Sequence, residues 1–481
     1  MIAVSPNIAI YTNITKLNLQ KNNLSRLPIE LFRFLTKLSQ LDLSHNKFTV
    51  VQPEIRLLLN LKELNLGFNF LRELPIEVGK LFRLEKLTLD GNPIKQDYLN
   101  RGAQEIVRNF RELIQHAEPP DREWVTINKS NGNLQPKGLK VVCYNILAHC
   151  YVQPDRIPFC PEWGLKWEYR KKVILKEIKQ EDPDIICLQE VESEQYEVFF
   201  LPELQKNYAG KFCPKGRARS MDENSKKNVD GCVTFWKKDL FSLVAEELIE
   251  FQSMTLARYD SIGQVGVNRM MMRDNIALSV TLKPIKGPNS IQLSNSIDND
   301  FLHVVNTHIY WDPGFPDVKL FQVQLLLEKI EEISKKHLKS RGRPLPLILC
   351  GDFNSEPNSA VYTLLSGKYV PGHDPDFVGQ DYGAYSKKGL TNPIPLKSAY
   401  GTVLGAEPPF TNYTMDFIGV LDYIWFSEET LAAEKVLGTV KEEIILATCG
   451  ALPNPHMPSD HISLAAILHG RSNPNPNLGR L

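Results

Sequence analysis

Leu345-Pro346-Leu347-Ile348-Leu349-Cys350-Gly351-Asp352-Phe353-Asn354-Ser355 is the stretch that decides the fold. Its apolar run has the length and composition of a buried strand and stops on a carboxylate. A strand that delivers an acid where it leaves the core builds a site rather than a surface. Asp352 and Asn354 are two apart, so on extended backbone they face one side. Three further signatures share the pattern: Leu188-Gln189-Glu190 after Asp184-Ile185-Ile186-Cys187, then Leu421-Asp422-Tyr423, then Ser459-Asp460-His461. Four carboxylates brought together uncompensated would raise one another's pKa, so such a cluster implies a cation. Oxygen ligands with no neighbouring cysteine or paired histidine point to magnesium or manganese. Taken singly each signature is weak. Gly-Asp-Phe-Asn also reads as a turn, Glu190 as a helix-capping glutamate, and His308 or His461 as a structural core histidine.

Outward from these acids, the first hundred residues repeat. Leu17-Asn18-Leu19 to Asn22, Leu41-Asp42-Leu43 to Asn46, Leu64-Asn65-Leu66 to Asn69 and Leu87-Thr88-Leu89 to Asn92 recur every 23 or 24 residues. This is the L-x-L-x-x-N pattern of a leucine-rich repeat, in which alternate leucines face a shared core and the asparagine amide satisfies turning backbone. Ile8 to Tyr11 is expected to start the stack, and an amphipathic helix carrying Ile106, Val107, Phe110, Leu113 and Ile114 to close it. Residues 1–117 are therefore read as a repeat domain, 118–137 as a polar linker, 138–470 as a second domain and 471–481 as a disordered tail.

At 481 residues with 42% hydrophobic and 23% charged content, the chain is globular and exceeds one ordinary core. Its net charge is zero, so any polyanion must be held by local patches: Arg170 to Lys172, Lys215 with Arg217 and Arg219, and Lys335 to Arg343. The last reads as helix-surface pairing with Glu328, Glu331 and Glu332. The Lys215 group precedes a stretch, Met221 to Asp230, that reads as polar and mobile. Eight scattered cysteines without zinc spacing predict reduced thiols and a cytoplasmic, with some nuclear, location. No stretch approaches the roughly 18 uninterrupted apolar residues of a membrane span, so no membrane partner is expected.

The second domain opens with the strand Leu139 to Asn145, which hands Asn145 to a loop. Helices are expected over 166–180, 193–205 and 317–339, and strands near 232–236, 276–282 and 302–309. Strands mixed with flanking helices indicate a layered α/β sandwich whose strand ends open on one site.

In combination, the early Asn145, the Gln189-Glu190 pair, Asn306-Thr307-His308, Gly351-Asp352-x-Asn354, Asp422 and Ser459-Asp460-His461 resemble the exonuclease/endonuclease/phosphatase superfamily of magnesium-dependent phosphoesterases. Trp167 to Arg170, Gln195-Tyr196, Asp230 to Cys232, Asn268-Arg269, Asp274-Asn275, Trp311 to Pro313 and Tyr413 to Tyr423 narrow the likeness to the catabolite-repressor-type messenger RNA deadenylases, catalytic subunits of the Not complex. The resemblance implies a four-layer α/β sandwich after the repeat solenoid. It implies two magnesium ions, with manganese as a substitute. Glu190 would bind one ion with Asn145 and Asp460, while Asp352 and Asn354 would orient the attacking water or second metal and the scissile phosphate. His308 and His461 would donate to phosphate oxygens, and Asp422 would orient His461. Pro313 and Phe417 match residues on which the adenine lies, and Arg269 and Asn275 would touch phosphate or ribose. Tyr310 stands where many relatives have His, a change expected to tune rather than abolish the site.

The expected activity is 3′ to 5′ exonucleolytic removal of single-stranded poly(A) with release of 5′-AMP. The alternatives are another magnesium-dependent phosphoesterase on the same scaffold, since fold does not fix substrate, or a repeat scaffold with a vestigial nuclease domain. The family likeness names the second deadenylase subunit of the Not complex as the partner of the repeat.

Overall fold

The computed structural model describes residues 4–115, 118–127, 138–285 and 301–471. The expected tail beyond Arg471 and the second half of the expected linker, 128–137, lie outside them. By contact the chain divides into two units, Met1–Pro119 with Gln153–Arg170 and Glu442–Pro458, and Pro120–Val152 with Lys171–Lys441 and Ser459–Leu481. The division is thus discontinuous where the sequence suggested one contiguous boundary.

In the first unit, β1 (Lys16–Asn18), β2 (Gln40–Asp42), β3 (Glu63–Asn65) and β4 (Lys86–Thr88) pair in parallel, with Leu17, Leu41, Leu64 and Leu87 in register. The leucine core behind them is buried from Leu24 to Leu89. The repeat asparagines Asn46, Asn69 and Asn92 tie neighbouring turns together: Asn46 Nδ2 donates to the Leu19 and Leu43 carbonyls at 2.9 Å, and Asn69 Nδ2 to those of Leu43 and Leu66 at 3.0 and 2.9 Å. The closing helix is Ala103–Leu113, burying Ile106 and Val107 but leaving Leu113 exposed. At the start, Pro6–Ile10 is a 3-10 turn with no fully buried residue; Ile10 and Tyr11 face solvent. Segments 153–170 and 442–458 complete this unit through a Phe82–Phe159 edge contact and a hydrogen bond from Tyr169 Oη to the Pro455 carbonyl at 2.7 Å. Arg170, assigned to a surface basic patch by the sequence, is fully buried here with Nε donating to the Pro458 carbonyl.

The second unit holds two sheets. Its strands in chain order are β5 (Trp124–Thr126), β6 (Leu139–Asn145), β7 (Ile185–Glu192), β8 (Tyr208–Pro214), β9 (Asp230–Lys237), β10 (Phe241–Glu250), β11 (Ile276–Pro284), β12 (Leu302–His308), β13 (Leu347–Asp352), β14 (Leu396–Ser398), β15 (Asn412–Tyr413), β16 (Ile418–Gly419), β17 (Asp422–Ser427), β18 (Leu431–Leu437) and β19 (Leu464–Gly470). One sheet runs β10-β11-β12-β13-β17-β14 and the other β5-β18-β19-β6-β7-β9-β8, while β15 and β16 form a separate small hairpin. Alternation along each strand divides its side chains between two cores. Val304, Ile348 and Ile424 meet Val141, Cys143 and Cys187 between the sheets. Val305, Leu349 and Trp425 face the other way, onto helix Pro316–Arg341. Sheet on sheet between helices is the expected four-layer α/β sandwich.

Three expectations change. Part of the supposed linker, β5, pairs with β18 and so belongs to a sheet. The stretch from Met221 is ordered: Asp222 caps a one-turn helix, Glu223–Lys226, and Asp230 is fully buried at the start of β9. Asp422 opens its strand rather than ending it.

Candidate active site

Topology gathers the acids. Strand β12 runs parallel to β13, which pairs antiparallel with β17, so two strand ends and one strand start fall at the same edge. The register places His308 opposite Asp352 and Asp352 opposite Asp422. This close approach requires Gly351: a Cβ there would lie 2.3 Å from the Thr307 carbonyl oxygen. In the facing sheet, β6 ends on Asn145, opposite Gln189 of β7. A bulge between Leu188 and Val191 turns Glu190 into the left-handed region (φ 59°) and re-aims its side chain. Asn306 stabilises that irregularity, donating from Nδ2 to the Leu188 and Val233 carbonyls at 3.0 and 2.8 Å and accepting from Gln189 Nε2 at 2.7 Å. It is a buried polar tie between the two sheets beneath the site.

The Asn145 amide joins the two halves. Its Nδ2 donates to Glu190 Oε1 at 3.0 Å and to Asp352 Oδ2 at 2.9 Å, while Oδ1 accepts from Leu147 N at 3.0 Å. Glu190 Oε2 accepts from Ala148 N at 2.9 Å, and Asp352 Oδ1 from Asn354 N at 2.9 Å. Both histidines approach the same oxygen: His308 Nε2 and His461 Nε2 each lie 3.6 Å from Asp352 Oδ2. On its other side His461 Nδ1 meets Asp422 Oδ2 at 2.7 Å. Burial opposes charge on His461, but Asp422, Asp352 and Asp460 outweigh it and hold the imidazole well above its ordinary pKa. Burial, helped by Lys215, drives His308 the other way, toward the neutral ring. Burial pushes Asp352 up to about 7, with Asp422 adding and His461 opposing. Glu190 is raised by burial and then by Asp230. Among the described residues neither Glu190 nor Asp352 forms an ion pair with a lysine or arginine. Buried carboxylates that resist ionisation and have no such partner suit a divalent cation with oxygen ligands. The tightest ligand cluster is Asp352, Asp422 and His461, with ligand atoms within 4.8 Å of one another. Asp422 and His461 are already bonded to each other, so Asp352 and Glu190 are the acids left to hold an ion.

The endonuclease/exonuclease/phosphatase family model matches residues 142–270 and 280–461, which contain every one of these side chains. The chain belongs to the endonuclease/exonuclease/phosphatase family. A leucine rich repeat model matches residues 12–55. Similar curated proteins include the CCR4-Not complex 3'-5'-exoribonuclease subunit Ccr4 of Aspergillus niger, 38% identical over 409 residues, 79% of this chain and 60% of that protein. The protein of the same name from Mycosarcoma maydis is 35% identical over 414 residues, 79% of this chain and 60% of its own length. The chain thus spans about 60% of the length of these relatives. Among solved structures, ANGEL2, a 2',3'-cyclic phosphatase, in complex with adenosine-2',3'-vanadate, is 26% identical with a TM-score of 0.55, covering 73% of this chain and 99% of its own.

Set against the family pattern, the remaining expected residues divide. Asn354, also in the left-handed region (φ 48°), donates from Nδ2 to the Ile309 carbonyl at 3.0 Å, while its own carbonyl accepts from Lys319 Nζ at 2.8 Å. Asp460 accepts from Asn412 Nδ2 at 3.4 Å, and its charge reaches both Glu190 and His461. Phe417 is half-buried in the β15–β16 turn, where a Cβ on Gly419 would come within 2.6 Å of its ring. Pro313 is exposed. Arg269 is corrected: its guanidinium is bidentate on Asp317, with Nη2 to Oδ1 at 2.7 Å, so it is neutralised rather than free for phosphate. Asn275 is likewise turned inward, donating from Nδ2 to the His308 carbonyl at 3.0 Å and accepting from Gln322 Nε2 at 3.2 Å. The basic group near Lys215 is paired too: Lys215 Nζ and Arg217 Nη2 meet buried Asp230 at 2.7 and 2.6 Å, and exposed Arg219 meets Glu250 at 2.7 Å. Thr411 escaped the sequence reading. Its Oγ1 donates to Asp422 Oδ2 at 2.7 Å and accepts from Leu421 N and Asp422 N at 2.9 and 3.1 Å, fixing the acid that holds His461. A lone buried threonine carries no spacing signal by which it could have been found.

Proposed function

We propose that this chain removes single-stranded poly(A) from messenger RNA 3′ ends as a 3′ to 5′ exoribonuclease, releasing 5′-AMP. The observation that carries the reading is the Asn145 amide shared by Glu190 and Asp352, with two histidines facing the same Asp352 oxygen. Glu190 with Asn145 and Asp460, and Asp352 across from them, would hold two magnesium ions, manganese substituting. Bound there, the ions would supply hydroxide at neutral pH and neutralise charge on the phosphoryl oxygens. His461, kept charged by Asp422, presents an Nε2–H to a non-bridging phosphate oxygen as negative charge develops on it. His308 presents a neutral imidazole donor from the opposite strand end, adding no charge to repel the ions. Asn354, fixed by its bond to Ile309, orients the attacking water and the phosphate. Pro313 and Phe417 offer flat faces to the terminal adenine, which supplies affinity more than base identity.

Relatives named as exoribonuclease subunits, together with this chain's own leucine rich repeat, support RNA over other phosphoesters. The ANGEL2 likeness supports the competing phosphoesterase reading, since a related fold there carries cyclic phosphatase activity. A buried, mutually oriented site speaks against a vestigial domain. For the repeat, the proposed partner is the second deadenylase subunit of the Not complex, and capture of that subunit by the full chain tests it. Digestion of a 3′ oligo(A) RNA beside a mixed-sequence RNA, with and without magnesium, tests the activity. Selective, magnesium-dependent shortening by one nucleotide at a time is expected, abolished by Glu190→Gln. Equal digestion of both RNAs, or full activity of Glu190→Gln, would overturn the reading.

A further inference from the structure

Among the described residues, Arg273 is a cation without a carboxylate partner at the edge of the active site. Its guanidinium carbon lies 4.5 Å from the Tyr310 ring centroid and 4.6 Å from that of Phe315, so the group packs into the corner where these two nearly perpendicular rings meet, their centroids 5.7 Å apart. Among the described residues its side chain makes one hydrogen bond, Nη1 to the Met272 carbonyl at 3.3 Å, and Nε is buried without a partner. Arg269, one helical turn earlier, lies on the same Phe315 ring at 4.7 Å but is neutralised by Asp317. Arg217, close in space through Asp274, is paired as well. Arg273 is therefore the exception in a neighbourhood where arginines have acids.

Its place is fixed relative to the catalytic edge. Asn275, two residues on, bonds the His308 carbonyl, and Tyr310, two residues after His308, lies against the guanidinium. Beside it Trp311 is 65% exposed, a large aromatic face left in solvent on the loop that follows His308. A fixed guanidinium plane next to an exposed indole has the chemistry of single-stranded nucleic acid binding: a donor fork for a phosphate and a π-face for a base.

We infer that Arg273 binds a backbone phosphate of the RNA on the 5′ side of the scissile linkage, with Trp311 stacking the adjoining base. This rests on the exonuclease reading above and deepens it. An enzyme that cuts off the terminal nucleotide has only that nucleotide on the 3′ side, so every further contact lies 5′. Packing against the two rings orders the arginine before the strand arrives, which lowers the entropy lost on binding.

The test compares the dinucleotide ApA, which has no phosphate beyond the scissile one, with an adenylate 20-mer. Arg273→Gln is expected to raise KM on the 20-mer roughly tenfold more than on ApA, the scale of one charge-assisted hydrogen bond. It should also reduce the slope of log KM against log salt on the 20-mer by about 0.7, the loss of one phosphate contact to a single strand. Arg273→Lys keeps the charge without the stacked plane and should retain that slope; Trp311→Ala should weaken 20-mer binding without altering it. Thermal melting confirms folding. Equal losses on the two substrates, no loss on either, or a slope lost in the Lys variant would overturn the inference and leave Arg273 as packing. If the wild-type chain hydrolyses neither substrate, the proposed reaction fails. Fluorescence anisotropy with labelled 20-mer then decides Arg273 alone, tenfold weaker binding by Arg273→Gln supporting it and equal binding overturning it.

Discussion

Replacing Asp422 by Asn tests whether this acid acts through His461 or touches the reacting centre itself. Asp422 Oδ2 accepts from both Thr411 Oγ1 and His461 Nδ1 at 2.7 Å, while Oδ1 is buried without a partner. An asparagine has no good orientation here. With its oxygen toward His461, the amide NH2 occupies the partnerless position and buries unsatisfied donors, costing about 1–3 kcal/mol of stability. Flipped, it opposes its own N–H groups to those of Thr411 and His461. In the first orientation the bond to the imidazolium loses the carboxylate's charge and in the second it is lost outright, a weakening of up to about 1.5–3 kcal/mol. At about 1.4 kcal/mol per decade this predicts roughly a 10- to 100-fold fall in single-turnover cleavage of oligo(A) at saturating magnesium. The decisive comparison is with His461→Asn and the double variant. If Asp422 works only by holding His461, the double variant cleaves no more slowly than His461→Asn alone. An additive loss would mean that Asp422 contacts metal or substrate directly, as its membership of the Asp352, Asp422 and His461 cluster would permit. A wild-type rate in Asp422→Asn would refute the role altogether.

Other predictions follow from buried polar groups. Thr411→Val strands the Leu421 and Asp422 N–H groups and should lower stability by about 2–4 kcal/mol; a urea-melt shift below about 1 kcal/mol would show that the hydroxyl is replaceable. Asn69→Ala removes donors to the Leu43 and Leu66 carbonyls and the acceptor for Phe48 N, and should destabilise by a similar amount in the same assay. His303, bonded to Ser279 Oγ at 2.8 Å, is pushed down from 6.5 to about 4 by burial, then by His337. Below pH 6.5 the unfolded chain gains a proton on this ring that the folded chain refuses until about pH 4, so stability should fall by about 3 kcal/mol across that window and show no contribution above it. His303→Gln should flatten that acid limb relative to wild type; an unchanged limb would assign the slope to other groups.

What the sequence made legible and what it hid have one physical cause. The repeat and the acids that end buried strands were visible because both are periodic or positional: a leucine every other residue and an asparagine at each turn, or a carboxylate terminating an apolar run such as Leu347 to Cys350. The hidden features satisfy needs created by tertiary contact. Strands β8 and β10 lack a clear signal because, as sheet edges, they carry solvent-facing charges such as Lys211 and Glu246, which pair with each other at 2.7 Å. Asp230 read as part of a polar loop, since its partners Lys215 and Arg217 looked like a surface patch until both were seen to neutralise it. The family likeness that gave Arg269 a phosphate or ribose contact is equally blind to its pairing with Asp317. Composition counts charges but cannot say which are already paired, and among the described residues Arg269 and Arg273 differ in just that respect. That is why Arg269, matching a family pattern, is neutralised by Asp317, whereas Arg273, matching nothing, has no carboxylate partner among the described residues. A double variant, Asp317→Asn with Arg273→Gln, makes the argument testable: freeing Arg269 should restore part of the salt slope lost with Arg273, and no restoration would show that pairing is not what silences Arg269.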